Sequence, residues 1–341
     1  MKLKKIKASD ALKLNAVEMS IAIAASLIVP STWAEPTVMP AVVVTGSPII
    51  ESNNIDGYSG FSTRVTEAQI KELGAIDLTS ALRMTPGVQI SRYNEVGSYS
   101  GGQGGNVYIR GMGASRPGGE IKTYLDDIPL YMGVWNHPLI DLLPLNGINS
   151  IDVQKGPQNQ NTPNNFGAIH LKTKRAHQDG SLTEMNTSLG SFGTKTIQAN
   201  RVGQEGDFNY SFATGLVDSK GARSNSDGKL SNAMGRFEKR INETWLAGMS
   251  FLSISNTVGD PGDNRYAPFT SSPIPMGWNS NGVARNDTAT NLISAFFTHK
   301  NNDWHGNLKI YLNEGHNNLV HDYEWGTFAS HYKMTGLRWK E

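Results

Sequence analysis

The 341-residue chain contains no cysteine. That excludes a disulfide scaffold, a thiolate metal centre and a cysteine nucleophile, but not an oxidising compartment. An excess of one charge is also missing. The 31 basic and 30 acidic side chains leave a formal charge of +1, so bulk charge gives no support to nucleic-acid binding. Beyond residue 34 no apolar run approaches the ~20 residues that a membrane-spanning helix needs, so any membrane span must be built from strands. Catalytic signatures are lacking as well. There is no G-x-S-x-G and no H-E-x-x-H, and the glycines of "GQGGN" (102–106) and "GMG" (111–113) are not followed by the Lys-Ser/Thr of a phosphate loop. Nothing in the chain reads as an enzyme.

What is present begins at the N-terminus. Lys2, Lys4, Lys5, Lys7 and Lys13 precede the short apolar run "MSIAIAASLIV" (19–29), and small residues follow up to Ala34. A basic region, an apolar core and small residues make a secretory signal peptide, residues 1–34, with cleavage expected after Ala34. Residues 35–59 lack helical period and read as a tether. Within them "PAVVVTGSP" (40–48) sets three β-branched valines between two prolines. The valines favour an extended strand, and the prolines limit further pairing.

From Ser62 the pattern changes. Thr66 with Gln69 forms a capping box ahead of a short helix ended by Gly74. Asp77 caps a second helix, with Leu78, Ala81 and Leu82 on one face and Pro86 as the stop. Short strands follow in "GVQIS", "NVYIRG", "TYLDDIPL", "SIDVQKG" and "AIHLKTK". Residues 60–175 therefore read as a small α+β domain. After Lys174 helical signals vanish. Eight segments of about ten residues alternate weakly, from "SLTEMNTSLG" (181–190) to "SHYKMTGLRWK" (330–340). Their connections alternate too: short near 203–207, 242–243 and 301–302, long at 219–228, 257–287 and 315–326. Short turns on one rim and long loops on the other are the pattern of outer-membrane barrels. In "SFLSIS" and "SAFFT" one side of the wall is expected to face lipid and the other water.

The stretches "AVVVTGSP", "LTSALRMTPGVQIS", "NVYIRGMG", "TYLDDIPLY" and "SIDVQKGPQ…FGAIHLKTK" stand in the order found in TonB-dependent outer-membrane receptors. Residues 41–174 resemble the plug domain of that family, and residues 176–341 resemble the N-terminal part of its barrel. The fold class implied is an α+β plug domain followed by antiparallel transmembrane β-barrel strands, a partial barrel. Two departures stand out. The segment "GPQNQNTPNN" (156–165) is Asn-rich, and Phe166-Gly167 lacks the Gly-Gly pair that usually follows in the family. A plugged transporter barrel has about 22 strands, whereas residues 176–341 supply about eight. The chain is thus expected to be a receptor fragment that does not close a transport barrel by itself.

The resemblance implies active uptake across the outer membrane of a Gram-negative cell. The substrate class is a metal chelate, first a ferric siderophore, with cobalamin or haem as alternatives. A periplasmic binding or signalling protein with a soluble β-domain is the reading from another class. No cofactor is implied. The partners implied are TonB with its inner-membrane energising complex, the chelate and outer-membrane lipid, and no nucleic acid. Val42, Val43, Val44 and Thr45 resemble the TonB box, which lends a strand to the partner's open sheet edge. Ligand contacts are expected from the outward plug loops: Arg92, Tyr93 and Tyr99 in one, Tyr131, Trp135 and His137 in the other. Aromatic rings offer flat apolar area with a polar tip, and arginine offers charge-assisted bonds to an anion. Arg110 and Arg116 are expected to pair with barrel acids and hold the plug.

Overall fold

The computed structural model describes residues 52–56, 60–91, 94–97, 106–113, 121–132, 137–138, 143–157, 166–259, 284–301, 304–320 and 327–340. The signal peptide, Val42–Thr45, Arg92, Tyr93, Tyr99, Arg116 and Trp135 lie outside these residues.

Two capped helices open the N-terminal domain after a β-hairpin of β1 (Ser52–Asp56) and β2 (Gly60–Thr66). In α1 (Glu67–Glu72) the Thr66 hydroxyl accepts from the Gln69 amide, and the Gln69 side chain accepts from the Thr66 amide. The box satisfies two of the N–H groups that a helix start leaves without partners. Gly74, at φ +58°, turns the chain out of the helix. In α2 (Leu78–Leu82) the Asp77 carboxylate accepts from the Ser80 amide at 2.9 Å. Its apolar face, Leu78, Ala81 and Leu82, is fully buried.

The remaining elements of the domain are β3 (Val88–Ser91), β4 (Asn106–Ile109), β5 (Met112–Gly113), β6 (Ile121–Leu125), β7 (Ile128–Met132), β8 (His137–Pro138), β9 (Ile148–Gln154) and β10 (Gly167–Thr173). They build a sheet in the order β1-β2-β9-β10-β6-β7-β8 and a small second sheet β3-β4-β5. Among the described strands only the β10–β6 pair is parallel. "TYLDDIPL" folds as a hairpin: Asp126 and Asp127 take φ of +45° and +65° between β6 and β7. Aspartate tolerates this left-handed pair, which matches the strand twist. The strand over "AIHLKTK" forms without a Gly-Gly pair. A Cβ on Gly167 would come within 2.8 Å of the Gln154 carbonyl oxygen, so the first residue of β10 must be glycine. Ile109, Ile121, Ile128, Leu130, Ile148, Ile151 and Ile169 make the core.

The second unit is a meander of eight antiparallel strands: β11 (Gly180–Leu189), β12 (Lys195–Glu205), β13 (Phe208–Ser219), β14 (Gly228–Arg240), β15 (Trp245–Gly259), β16 (Arg285–Lys300), β17 (His305–Val320) and β18 (Thr327–Lys340). From β13 onward each strand is longer than its sequence segment, because residues near the long connections continue the ladder. The wall is open among the described residues, with β11 and β18 as its edges. Its concave side packs on the N-terminal domain, and Ala213, Val217, Leu230, Met234, Leu252, Ile254 and Leu292 join that domain's core.

The expectation for "SFLSIS" needs correction. Leu252 and Ile254 point inward against the N-terminal domain, while Ser253 and Ser255 point outward. The inner side is apolar here because protein, not water, covers it. Lower on the wall the outward residues are apolar: Met249, Ile293, Phe297, Ile310 and Leu337 are all exposed. At the short-turn rim Trp245, His299, Trp304 and Trp339 form a chain of ring contacts at 4.6, 4.5 and 6.4 Å. An outward apolar band edged by aromatics is how a barrel wall meets a bilayer.

Candidate functional site

The seam between the N-terminal domain and the wall gathers the buried charge of the molecule. Its centre is the β6–β7 turn. Asp126 accepts from the Thr173 hydroxyl at 2.7 Å and the Thr173 amide at 3.1 Å, which fixes the carboxylate. Arg236 of β14 then donates from Nη1 to Asp126 Oδ2 at 3.0 Å and from Nε to Glu238. Arg175, in the connection between the two units, reaches Glu238 at 3.0 Å. From the other side Lys309 of β17 donates to the Asp126 carbonyl and stands 3.3 Å from Asp127 Oδ2. Arg338 of β18 donates to the Asp127 carbonyl at 2.9 Å. Two aspartates at one hairpin tip are thus met by three cations on three wall strands.

The surroundings of the tip are aromatic. The Arg236 guanidinium lies 4.0 Å from the centroid of Phe296, and Arg338 lies 5.2 Å from that of Tyr124. Tyr124 stacks on His170 at 4.7 Å and 9°. The His170 Nδ1 is 4.0 Å from Asp127. Burial pushes the imidazole down to about 4, although the Asp127 charge pulls the other way. For Asp127 burial acts to raise the carboxyl, but Lys309, Lys340 and Arg338 outweigh it and hold it below the usual range.

A second ionic group ties α1 to the first wall strand. Lys71 lies 2.8 Å from Glu67 and 2.6 Å from Glu184, and Lys174 lies 2.9 and 3.0 Å from the same two acids. Side-chain amides make the remaining ties. Asn146 Nδ2 donates to the Thr214 carbonyl at 2.7 Å, and Asn94 Nδ2 donates to the Gly259 and Ser226 carbonyls at 2.9 and 3.2 Å. Between these ties the inner wall buries Gln198 Nε2, Asn232 Oδ1 and both amide atoms of Asn286 without a protein partner among the described residues.

The expected site residues are placed unevenly. Tyr131 is half-buried in β7, where its carbonyl accepts from Asn313 Nδ2 of the wall at 3.2 Å. His137 lies in β8, opposite Met132. Arg110, at φ +52°, is exposed and donates from Nη1 to the Lys155 carbonyl at 3.0 Å, a bond within its own domain. The acids and bases that cross the seam are others: Asp126, Asp127, Arg236, Lys309 and Arg338. A signal for the wall residues exists in the alternation of the strands, since Arg236, Glu238, Lys309 and Arg338 occupy inward positions. No sequence signal pairs them with the β6–β7 turn.

Residues 57–169 match the family model described as the TonB-dependent receptor plug domain. Solved structures share the fold of both units. The unliganded ferric citrate transporter FecA is 16% identical with a TM-score of 0.62 over 81% of this chain and 43% of its own. The FrpB iron transporter from Neisseria meningitidis is 18% identical with a TM-score of 0.61 over 81% and 44%. The alcaligin outer-membrane receptor FauA from Bordetella pertussis is 15% identical with a TM-score of 0.57 over 82% and 48%. The chain therefore spans less than half the length of these structures.

Proposed function

From the premise that residues 57–169 are a TonB-dependent receptor plug domain, we propose that the chain is the plug and adjoining wall of an outer-membrane receptor for active uptake of a metal chelate, with ferric siderophores as the first substrate class. The observation that carries this reading is the seam itself. A domain with its own apolar core is held on the concave side of a membrane-type wall by ion pairs and amide ties, several of them beside buried amides with no protein partner. Such a contact is specific in register yet costs little more to open than to keep, because water re-satisfies each orphaned amide, worth roughly 1–3 kcal/mol. A plug that must shift to open a path needs this kind of contact.

In this reading no bond of the chelate is made or broken, so the protein is a transporter and not an enzyme. The ligand binds outside on Arg92, Tyr93, Tyr99, Tyr131, Trp135 and His137. Arg110 and Arg116 steady the plug. Val42–Thr45 face the periplasm and add as a strand to TonB, which draws on the energised inner membrane. The exposed apolar residues on the convex side, with their aromatic edge, favour a lipid-embedded wall over a soluble β-domain.

The test is Val43→Pro in a full-length receptor carrying this plug, assayed with a panel of radiolabelled ferric chelates. Proline removes a backbone donor from the added strand. Chelate binding to whole cells should persist while accumulation stops. Equal loss of binding and accumulation would make the stretch structural and remove the TonB-box assignment.

A further inference from the structure

Three stretches of chain meet at Asn94. Residues 94–97 of the N-terminal domain lie against the wall where two of its long connections end and begin. Asn94 is only 4% exposed. Its Nδ2 donates across the seam twice, to the Gly259 carbonyl at 2.9 Å and to the Ser226 carbonyl at 3.2 Å. Gly259 is the last residue of β15, ahead of the connection over 260–284, and Ser226 stands in the connection between β13 and β14. One side-chain amide therefore reaches both connections at once. Two glycines leave room for this approach. A Cβ on Gly97, at φ +71°, would overlap the Asn256 side chain, and one on Gly228 would overlap the Val96 carbonyl.

The two connections are also fastened to each other here. The Gly259 amide donates to the Asp227 carbonyl at 2.9 Å. Arg285, the first residue of β16, donates to both Asp227 carboxylate oxygens at 3.1 and 2.8 Å, and Asn225 Nδ2 donates to the Ala284 carbonyl at 2.9 Å. Asn94 adds the plug to this group. In sequence it directly follows Arg92 and Tyr93, and Tyr99 comes five residues later. We infer that Asn94 is a positioning residue for chelate binding: it sets plug loop 92–106 and the connections 220–227 and 260–284 in one fixed relation before the chelate arrives. It acts through these loops and not on the chelate. A site ordered in advance keeps the ordering cost out of binding, so loss of the bridge reads as weaker affinity. The inference rests on the reading of Arg92, Tyr93 and Tyr99 as ligand contacts.

Two measurements on a full-length receptor carrying this plug and wall test it. The first needs no ligand. Asn94→Leu keeps similar bulk without the donor, and hydrogen exchange at the Ser226 and Gly259 amides should become about tenfold faster. The second is the Kd for the ferric chelate that wild type binds best in the radiolabelled panel. Asn146→Leu is the comparison, because Asn146 also ties the plug to the wall through its amide, at Thr214 rather than at these connections. Asn94→Leu should raise Kd about tenfold more than Asn146→Leu does. The accumulation rate at saturating chelate should be the same in the two variants. Unchanged exchange at Ser226 and Gly259, or equal Kd values for the two variants, overturns the inference. If Asn94→Leu does not fold, Arg285→Gln loosens the same group from the wall side and carries the same two expectations. If wild type binds none of the ferric chelates, the substrate class proposed above fails, and the exchange result alone decides whether Asn94 joins the plug to both connections.

Discussion

The plug's own core and its seam with the wall are both buried, but buried charges and amides are concentrated in the seam. In the core Ile121, Ile151, Val153 and Ile169 are at most 2% exposed and touch other apolar side chains. In the seam apolar wall residues such as Leu230, Leu252 and Leu292 alternate with buried polar groups: Asp126, Arg236, Glu238, Lys309, His170 and a row of inner-wall asparagines. Apolar burial is non-directional and grows with area, so the core holds whatever small shifts occur around it. Buried ions tolerate only one arrangement, and removing one partner strands another. The difference predicts that the seam opens at a lower cost than the plug's own core.

The sharpest way to break this contrast is Arg236→Ala. It leaves the Asp126 carboxylate without its cation inside the seam, while Glu238 keeps Arg175, and should weaken docking of the plug by about 3 kcal/mol, the lower end of the cost of leaving a buried charge unpaired. The plug's own stability should hardly change, since Arg236 touches only the turn tip. Limited proteolysis should therefore open the plug–wall seam at lower denaturant than in wild type, with the plug core unfolding at an unaltered midpoint. If both transitions move together, core and seam are one cooperative unit and the comparison fails.

Acid should act on the same seam. The His170 imidazole is held neutral down to about 4, whereas an unfolded histidine titrates near 6.5. Its folded form binds fewer protons, so the stability it permits is present above the unfolded value and is lost as pH falls from 6.5 toward 4. Asp127, held below the usual carboxylate range by Lys309, Lys340 and Arg338 against the effect of burial, loses stability in the same direction at lower pH. Docking should weaken by up to about 3 kcal/mol across the histidine window. His170→Phe keeps a ring on Tyr124 and should flatten that slope. A slope unchanged in the variant would assign the acid sensitivity to other groups.

How far this contrast could be read without coordinates differs between its sides. The capping residues Thr66, Gln69 and Asp77, the strands of the α+β domain and the eight wall segments were legible, because each signal lies within a dozen residues. The strand ends were not: polar residues such as Asn286 and Asn317 continue the ladders because the plug and neighbouring strands, not local pattern, supply their surroundings. That protein rather than water covers the inner side at Leu252 and Ile254 was not legible for the same reason. The ionic tip was illegible in a stronger sense. Asp126 and Arg236 are 110 positions apart, and Asp127 and Arg338 are 211 apart. Arg110, picked for that role from its neighbours in sequence, donates to the Lys155 carbonyl of its own domain, and Arg116 lies outside the described residues.

The smallest expected effect concerns the second ionic group, and it tests whether burial rather than charge is what makes the seam. Lys71 and Lys174 contact the same two acids, Glu67 and Glu184, at nearly equal distances. Their surroundings differ: the Lys71 side chain is 47% exposed and that of Lys174 is 8%. Water screens the first and costs it little to lose, as exposed ion pairs contribute about 0–1 kcal/mol. It screens the second poorly, and its removal leaves the two acids to the exposed Lys71 alone. Lys71→Gln should therefore shift the seam transition by less than about 1 kcal/mol, and raised salt should erase the shift. Lys174→Gln should exceed it and persist in salt. Equal shifts for the two variants at both salt concentrations would show that charge number, not burial, governs the seam, and would undo the distinction between the two regions at its weakest point.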